Sequence, residues 1–286
     1  MYEKELEIAE GLARKAGVVI LDFYAKEIVA EQKLSVDNFY EPVTEADRAA
    51  SRVIVDGLLE AFPDDAVLSE EEKDDPIARL IKKRVWIVDP IDGTAGFVKK
   101  DGDFAVHIGL ADDGDPILGV VYLPNFDFLY YAVKGQGAFV NKSGHVNKLQ
   151  VSTKDQISDL AIAVTRHHWS KKMGRVLTEF QFREMCRRGS VGLKIGLIAE
   201  TECDIYIHLG GRTKLWDTCA PQIILEEAGG RLTDIFGKKY RYDIEDLQNH
   251  NGILATNGIS HDEAVRRLKP LLTEFGRVRV KGARQR

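Results

Sequence analysis

Residues 86–94, WIVDPIDGT, set an apolar run directly against two carboxylates, Asp89 and Asp92, and close on Gly93 and the hydroxyl of Thr94. The stretch RVWIVD, residues 84–89, reads as a buried strand. Pro90 cannot donate to a sheet ladder and holds the residue before it extended, so the strand is expected to stop at Asp89 and the chain to turn there. Both acids then leave the strand end together, and Gly93 and Thr94 begin a helix whose free N–H groups can meet an anion. Two carboxylates held close raise one another's pKa unless a cation lies between them. The oxygens on offer here, from Asp, Glu, a backbone carbonyl and a Thr hydroxyl, suit Mg²⁺. Taken singly, each acid is better explained as a turn former or helix cap. Two further clusters at element boundaries, LSEEE at 68–72 with Glu70 and Glu71, and WDT at 216–218 with Asp217, favour the metal.

Outward from this stretch, residues 3–30 carry Leu6, Ala9, Ala13, Ala16, Ile20 and Phe23 at helical spacing and predict one long helix, followed by a polar turn, EQKLSVDNFYEP. A second helix is expected from Thr44, where TEAD has the form of a capping box, to about Phe62. FAVHIGL, PILGVVYL, FLYYAVK and GAFV, separated by turn residues, predict antiparallel strands between Phe104 and Val140. The second half alternates: strand LAIAVT, helix from about Ser170 to Phe180, strand REMCRRG, helix GLKIGLIAE, strand CDIYIHL, and helix WDTCAPQIILEEAGG ending on glycine. No repeat or linker separates the halves. Two subdomains in one compact unit are expected: residues 1–150, helices plus antiparallel sheet with most of the acids, and 151–286, an α/β half completing the site in a cleft between them.

Of 286 residues, 44% are hydrophobic, enough for a sizeable core, and 40 Lys and Arg against 45 Asp and Glu leave a net charge of −5. That balance offers no global attraction to nucleic acid or anionic membranes. Cys186, Cys203 and Cys219 form no C-x-x-C pair and are odd in number, which argues for small reduced residues in a cytoplasmic setting. The acidic N-terminus lacks a signal-peptide core, and no apolar run approaches membrane-spanning length. The seven histidines show no H-E-x-x-H spacing, and neither G-x-S-x-G nor G-x-x-x-x-G-K-S/T occurs. GLADDGDPILG lacks the closing glutamate of a calcium loop and reads as a hairpin turn.

Together, PVTEAD, LSEEE, WIVDPIDGT and LWDTCAPQIILEEAGG resemble the Mg²⁺-dependent, lithium-sensitive phosphomonoesterases of the inositol monophosphatase superfamily, over nearly the whole chain. The resemblance implies an α/β (α+β) layered α/β/α/β/α sandwich of the inositol monophosphatase and fructose-1,6-bisphosphatase type. It implies that Glu70, Asp89, Asp92, Asp217 and the Ile91 carbonyl bind two or three Mg²⁺ ions, that Thr94 and Asp47 orient and deprotonate the attacking water, and that Li⁺ inhibits. From spacing alone, Asp47 is equally well explained as the acid of its capping box. Dimers occur in the superfamily, so a homodimer is compatible with it.

Within the superfamily, DGTAGFVKKDGDFAVHIGL resembles the F-x-K-x-x-G-x-F spacing of 3′(2′),5′-bisphosphate nucleotidases. Inositol monophosphatases usually have asparagine and phenylalanine where Ala95 and Gly96 stand, and glycine rather than Ser69. The resemblance implies release of the 3′-phosphate from 3′-phosphoadenosine 5′-phosphate, and extends to its sulfated form. By the same resemblance TRHHWSKK nominates Thr165 and His168 for nucleotide contact, and GSVGLK nominates Gly189, Ser190 and Lys194, with Arg212 a further phosphate ligand; Val191 departs from the serine of some nucleotidases. Ser190 as a plain helix cap, Lys194 as a solvated side chain and a surface histidine are equally good readings of those residues. The rival substrates are inositol phosphates, including inositol 1,4-bisphosphate, since the inositol monophosphatase and inositol polyphosphate 1-phosphatase branches share the metal ligands. A catalytically silent scaffold is disfavoured because each expected ligand is present.

Overall fold

A computed structural model describes residues 2–35, 40–166 and 170–281. The chain runs α1 (Glu3–Tyr24), β1 (Ala30–Leu34), β2 (Tyr40–Thr44), α2 (Glu45–Ala61), β3 (Ala66–Ser69), α3 (Pro76–Leu80), β4 (Arg84–Asp92), α4 (Thr94–Val98), β5 (Ala105–Asp112), β6 (Asp115–Leu123), β7 (Phe128–Val133), β8 (Gly137–Lys142) and β9 (His145–Lys148). After a 3-10 turn (Ile157–Asp159) come β10 (Ala161–Thr165), α5 (Lys171–Phe180), β11 (Glu184–Arg188), α6 (Val191–Ala199), β12 (Ile205–His208), α7 (Leu215–Glu227), β13 (Arg231–Thr233), β14 (Ile253–Thr256) and α8 (His261–Glu274). Strands β3 to β9 form a seven-stranded sheet in sequence order, antiparallel except for the β3–β4 edge. A second, five-stranded sheet has the order β11-β10-β12-β14-β13 and mixes parallel with antiparallel pairs.

Strand alternation assigns each sheet face to a layer. Trp86 and Val88 of β4, with Val106, Ile108 and Leu110 of β5, pack against Ala9, Ala13, Ala16 and Ile20 of α1 and Ala50, Ile54 and Leu58 of α2. Ile87 and Ala105 point the other way, into a core shared with α6, α7 and Ala163 and Tyr206 of the second sheet. That sheet's far face, Ile162, Val164, Ile205 and Ile207, is covered by α5 and α8. The result is the expected α/β/α/β/α order, with the middle helical layer against both sheets. Full burial of each such aliphatic side chain contributes about 1.5–3 kcal/mol.

Three expectations are corrected. The first helix ends at Tyr24, not near residue 30. Beyond it, the β-branched pair Ile28 and Val29 weakens helix propensity, and residues 30–34 pair across β2 from Ala30↔Thr44 to Leu34↔Tyr40. The predicted polar turn is therefore partly strand. The third concerns the opening stretch: β4 does not stop at Asp89. Its ladder with β5 continues through a register shift, Asp89 pairing with His107 and Asp92 with Ala105, and Pro90 sits inside the irregularity where no ladder donor is required of it.

Two paired glycines bring the middle layer close. Gly109 and Gly119 face each other across β5 and β6, and a Cβ on them would stand 2.7 Å from Cys219 Sγ and 2.5 Å from the Ala220 carbonyl of α7. Hydrogen in their place lets α7 lie on the sheet and carry Asp217 to the end of β4. Among the described residues no helix is long and apolar enough to cross a membrane.

Candidate active site

Asp89, Asp92 and Asp217 each offer a carboxylate oxygen, and the three oxygens lie within 4.8 Å of one another. Asp89 and Asp92 come from β4; Asp217 comes from the first turn of α7, where it accepts from the Lys214 backbone N–H at 2.5 Å. Burial, then the neighbouring acids Glu70, Asp92 and Asp217, pushes Asp89 well above the ordinary carboxylate range. Burial and Asp92 do the same to Asp217. Asp92 goes the other way. Burial alone would raise it, but His107, Lys194 and Ser190 outweigh that and hold it down at about 2.

The reason lies in what surrounds Asp92 Oδ2. Ser190 Oγ donates to it at 2.6 Å, the Gly192 N–H at 3.1 Å, and the Val191 N–H also points to it. The carboxylate thus closes the N-terminus of α6, where free backbone N–H groups and the helix dipole favour negative charge. Ser190 is itself the cap of that helix, with φ +41° and its Oγ accepting from the Leu193 N–H at 3.1 Å.

Gly93 precedes α4 with φ +97°, and a Cβ there would meet the Asp103 carbonyl at 2.7 Å. The Thr94 hydroxyl has two acceptors in reach, the Ile91 carbonyl at 3.0 Å and Asp47 Oδ1 at 3.2 Å. The other Asp47 oxygen accepts from the Thr44 N–H and hydroxyl at 2.7 and 2.6 Å, so Asp47 is both the expected cap acid and the partner of Thr94. Burial pushes its pKa up to about 6.

Glu70, just past β3, stands outside the close triad; its Oε1 lies 2.8 Å from Lys33 Nζ, which also contacts Glu71. Of the nominated nucleotide contacts, Thr165 ends β10 half-buried, Arg212 is exposed with its carbonyl accepting from Lys214 Nζ at 2.7 Å, and His168 lies outside the described residues. Gly189 donates to Asp103 Oδ2 at 2.8 Å. Lys194 is buried, with Nζ donating to the Gly189 and Ser190 carbonyls at 2.9 and 2.5 Å, and burial lowers its pKa to about 8. It braces the α6 turn.

Sequence reasoning missed Lys33, His107, Asp103 and Arg166, the last pairing with Asp103 at 2.8 Å. A polar residue inside the apolar strand FAVHIGL was the one available signal, for His107. The site's donors are all hard oxygens, and two of the three close carboxyls are destabilised as anions. That donor set fits a divalent cation of the Mg²⁺ type.

The chain is 37% identical over 231 residues to the Escherichia coli K12 3′(2′),5′-bisphosphate nucleotidase CysQ, covering 81% of this chain and 91% of that one. The structure of CysQ from Bacteroides thetaiotaomicron matches with TM-score 0.76 and 30% identity over 90% of this chain and 98% of that one. The Thermotoga maritima IMPase TM1415 matches with TM-score 0.79 and 28% identity over 96% and 100%. The sequence profile of the inositol monophosphatase family spans residues 1–272, and with the acidic triad brought together from β4 and α7 this chain belongs to the inositol monophosphatase family.

Proposed function

We propose that the chain is a Mg²⁺-dependent phosphomonoesterase that removes the 3′-phosphate of 3′-phosphoadenosine 5′-phosphate, giving AMP and phosphate, and accepts the sulfated nucleotide as well. The observation that carries the substrate is the 37% identity to a bisphosphate nucleotidase over 81% of the chain. The buried acidic triad supports the chemistry.

Asp89, Asp92 and Asp217, joined by Glu70 and the Ile91 carbonyl, would hold two or three Mg²⁺ ions. Bound there, the metal supplies positive charge to the phosphate and the leaving oxygen and makes a nearby water more acidic. Thr94 Oγ1 takes the proton of the attacking water and passes its own to Asp47 Oδ1, 3.2 Å away. A carboxyl near pKa 6 is suited to that transfer at neutral pH. Gly93 and Thr94 supply backbone N–H donors for phosphate oxygens. Thr165, His168 and Arg212 are assigned to the nucleotide, whereas Gly189, Ser190 and Lys194 reach it only through the α6 end they organise. A cytoplasmic setting suits the free thiols of Cys186, Cys203 and Cys219.

The test is phosphate release from 3′-phosphoadenosine 5′-phosphate and from inositol 1-phosphate, side by side, with and without Mg²⁺. A higher kcat/KM for the nucleotide is expected. The match to the Thermotoga IMPase supports the second reading, an inositol phosphatase, and a higher kcat/KM for the inositol ester would establish it in place of the first.

A further inference from the structure

His107 touches every segment that carries the triad, and nothing in the mechanism above uses it. On β5 it stands directly opposite Asp89 of β4, so the two side chains share one face of the sheet. Its Nε2 is 3.2 Å from Asp92 Oδ2. Its Nδ1 faces the carbonyl of Trp216 at 3.4 Å, the peptide that leads into Asp217. The residue is 0% exposed, and Nε2, despite its nearness to Asp92, has no hydrogen bond of good geometry. A buried nitrogen in that state is costly, and such atoms are rare in folded proteins.

The fit around the ring is tight. A Cβ on Gly192 would stand 2.3 Å from His107 Nε2. The first turn of α6, which donates to the same Asp92 oxygen, therefore closes over the imidazole only because residue 192 is glycine. On its own strand the ring is flanked by Val106 and Ile108, which point to the opposite core.

We infer that His107 is a positioning residue of the metal centre: wedged between Asp92 and the first turn of α7, it sets the spacing of Asp89, Asp92 and Asp217 and with it the affinity for a divalent cation. The inference rests on the metal-dependent reading of the site but not on which phosphate ester is cleaved. Groups that orient metal ligands from behind commonly govern affinity by about 10–100-fold.

The experiment is Mn²⁺ binding to the full-length protein without substrate, followed by the electron paramagnetic resonance signal of the free ion, with Tm measured on each variant. His107→Ala should weaken Mn²⁺ binding at least about tenfold. His107→Gln, which keeps a donor of similar reach, should recover most of it. Ile108→Ala, on the opposite face, should lower Tm and bind Mn²⁺ as the parent does. Gly192→Ala should weaken binding in the parent and cost less beside His107→Ala, where the ring that its Cβ would strike is gone and only Val121 Cγ1, at 2.7 Å, remains in its way. Should His107→Ala fail to fold, the Gln variant and Gly192→Ala carry the test. Binding within twofold of the parent in His107→Ala, or equal weakening by Ile108→Ala, overturns the inference and leaves the functional reading standing. A parent protein that binds no Mn²⁺ overturns that reading, and the inference with it.

Discussion

The two ends of the acidic site hold their charges by different means. At the inner end, Asp92 is buried and surrounded by Ser190 Oγ, two backbone N–H groups and His107, none of which can move without moving α6 or β5. At the outer end, Glu70 and Glu71 share one long side chain, Lys33, reaching over from the β1–β2 hairpin. Burial works to lower the Lys33 pKa, but the two carboxylates outweigh it and keep the ammonium charged. The contrast teaches that one acidic cluster can contain a carboxylate already stabilised as an anion, Asp92, beside others, Asp89 and Asp217, that are destabilised until a cation arrives. Lys33 meanwhile competes with any cation for Glu70.

The largest effect should come from the triad. Asp89→Asn, Asp92→Asn and Asp217→Asn should each lower metal-dependent phosphate release by about a thousandfold or more, since a loss of several kcal/mol of charge stabilisation translates to that in rate. The contrast is sharpened by stability without metal. Asp89→Asn removes a repelled charge and should raise Tm, whereas Asp92→Ala strands the α6 donors and should lower it, each 1 kcal/mol being worth roughly 2–4 °C. Shifts of the same sign would break the distinction between the two acids. Next in size, Thr94→Ala should reduce kcat by about 10²-fold, as expected for loss of a positioned proton carrier, with KM little changed in steady-state assays.

The pH dependence of the metal-free protein comes third. Asp47, raised by burial from 3.8 to about 6, and Glu71, raised by burial and Glu70 from 4.5 to about 7, hold protons in the folded state that the unfolded chain has released. Their contribution is present below the ordinary values and lost as pH rises through the folded ones, on the order of 3 kcal/mol for Asp47. His261 acts oppositely. Buried between the Thr233 and Thr256 hydroxyls, it is lowered chiefly by burial from 6.5 to about 4, so its contribution is lost as pH falls across that interval. Subtracting the stability curve of Asp47→Asn from that of the parent, both taken in chelator, cancels His261 and should leave a gap that falls as pH rises from 4 to 6. A constant gap would contradict the raised Asp47 carboxyl. The smallest effect is at the outer end: Lys33→Met should lower the Mg²⁺ concentration for half-maximal activity a fewfold, since an ion pair of this partly exposed kind is worth about 1 kcal/mol or somewhat more.

How much of this could be read beforehand follows from range. The acids Asp89, Asp92 and Asp217, the capping role of Asp47 and the succession of helices, antiparallel sheet and α/β half were visible because each is written in a short stretch, a strand tip, a TEAD box or an apolar period, whereas the order of the layers came only from the family resemblance. The α6 end was visible only as a list of nominated side chains. That Ser190 and Lys194 would turn toward Asp92 and their own helix end, rather than toward solvent, depends on α6 packing beside β4, about a hundred residues away in sequence. Lys33 was concealed for the same reason, since its partners lie across a hairpin that the helical reading of residues 25–30 had absorbed.

The irregular pairing at Pro90 has a consequence of parity. Residues three apart on a regular strand point to opposite faces, which would send either Asp89 or Asp92 into the apolar layer beneath α1 and α2. Because Asp89 and Asp92 pair with His107 and Ala105, two apart on β5, three steps on one strand are counted as two on the other, and both acids emerge on the same side. The spacing D-P-I-D is thus an odd number made even by the backbone. The count holds only while the extra residue stays out of the ladder, so straightening this segment into a regular strand without changing its length would turn Asp92 to the face opposite Asp89.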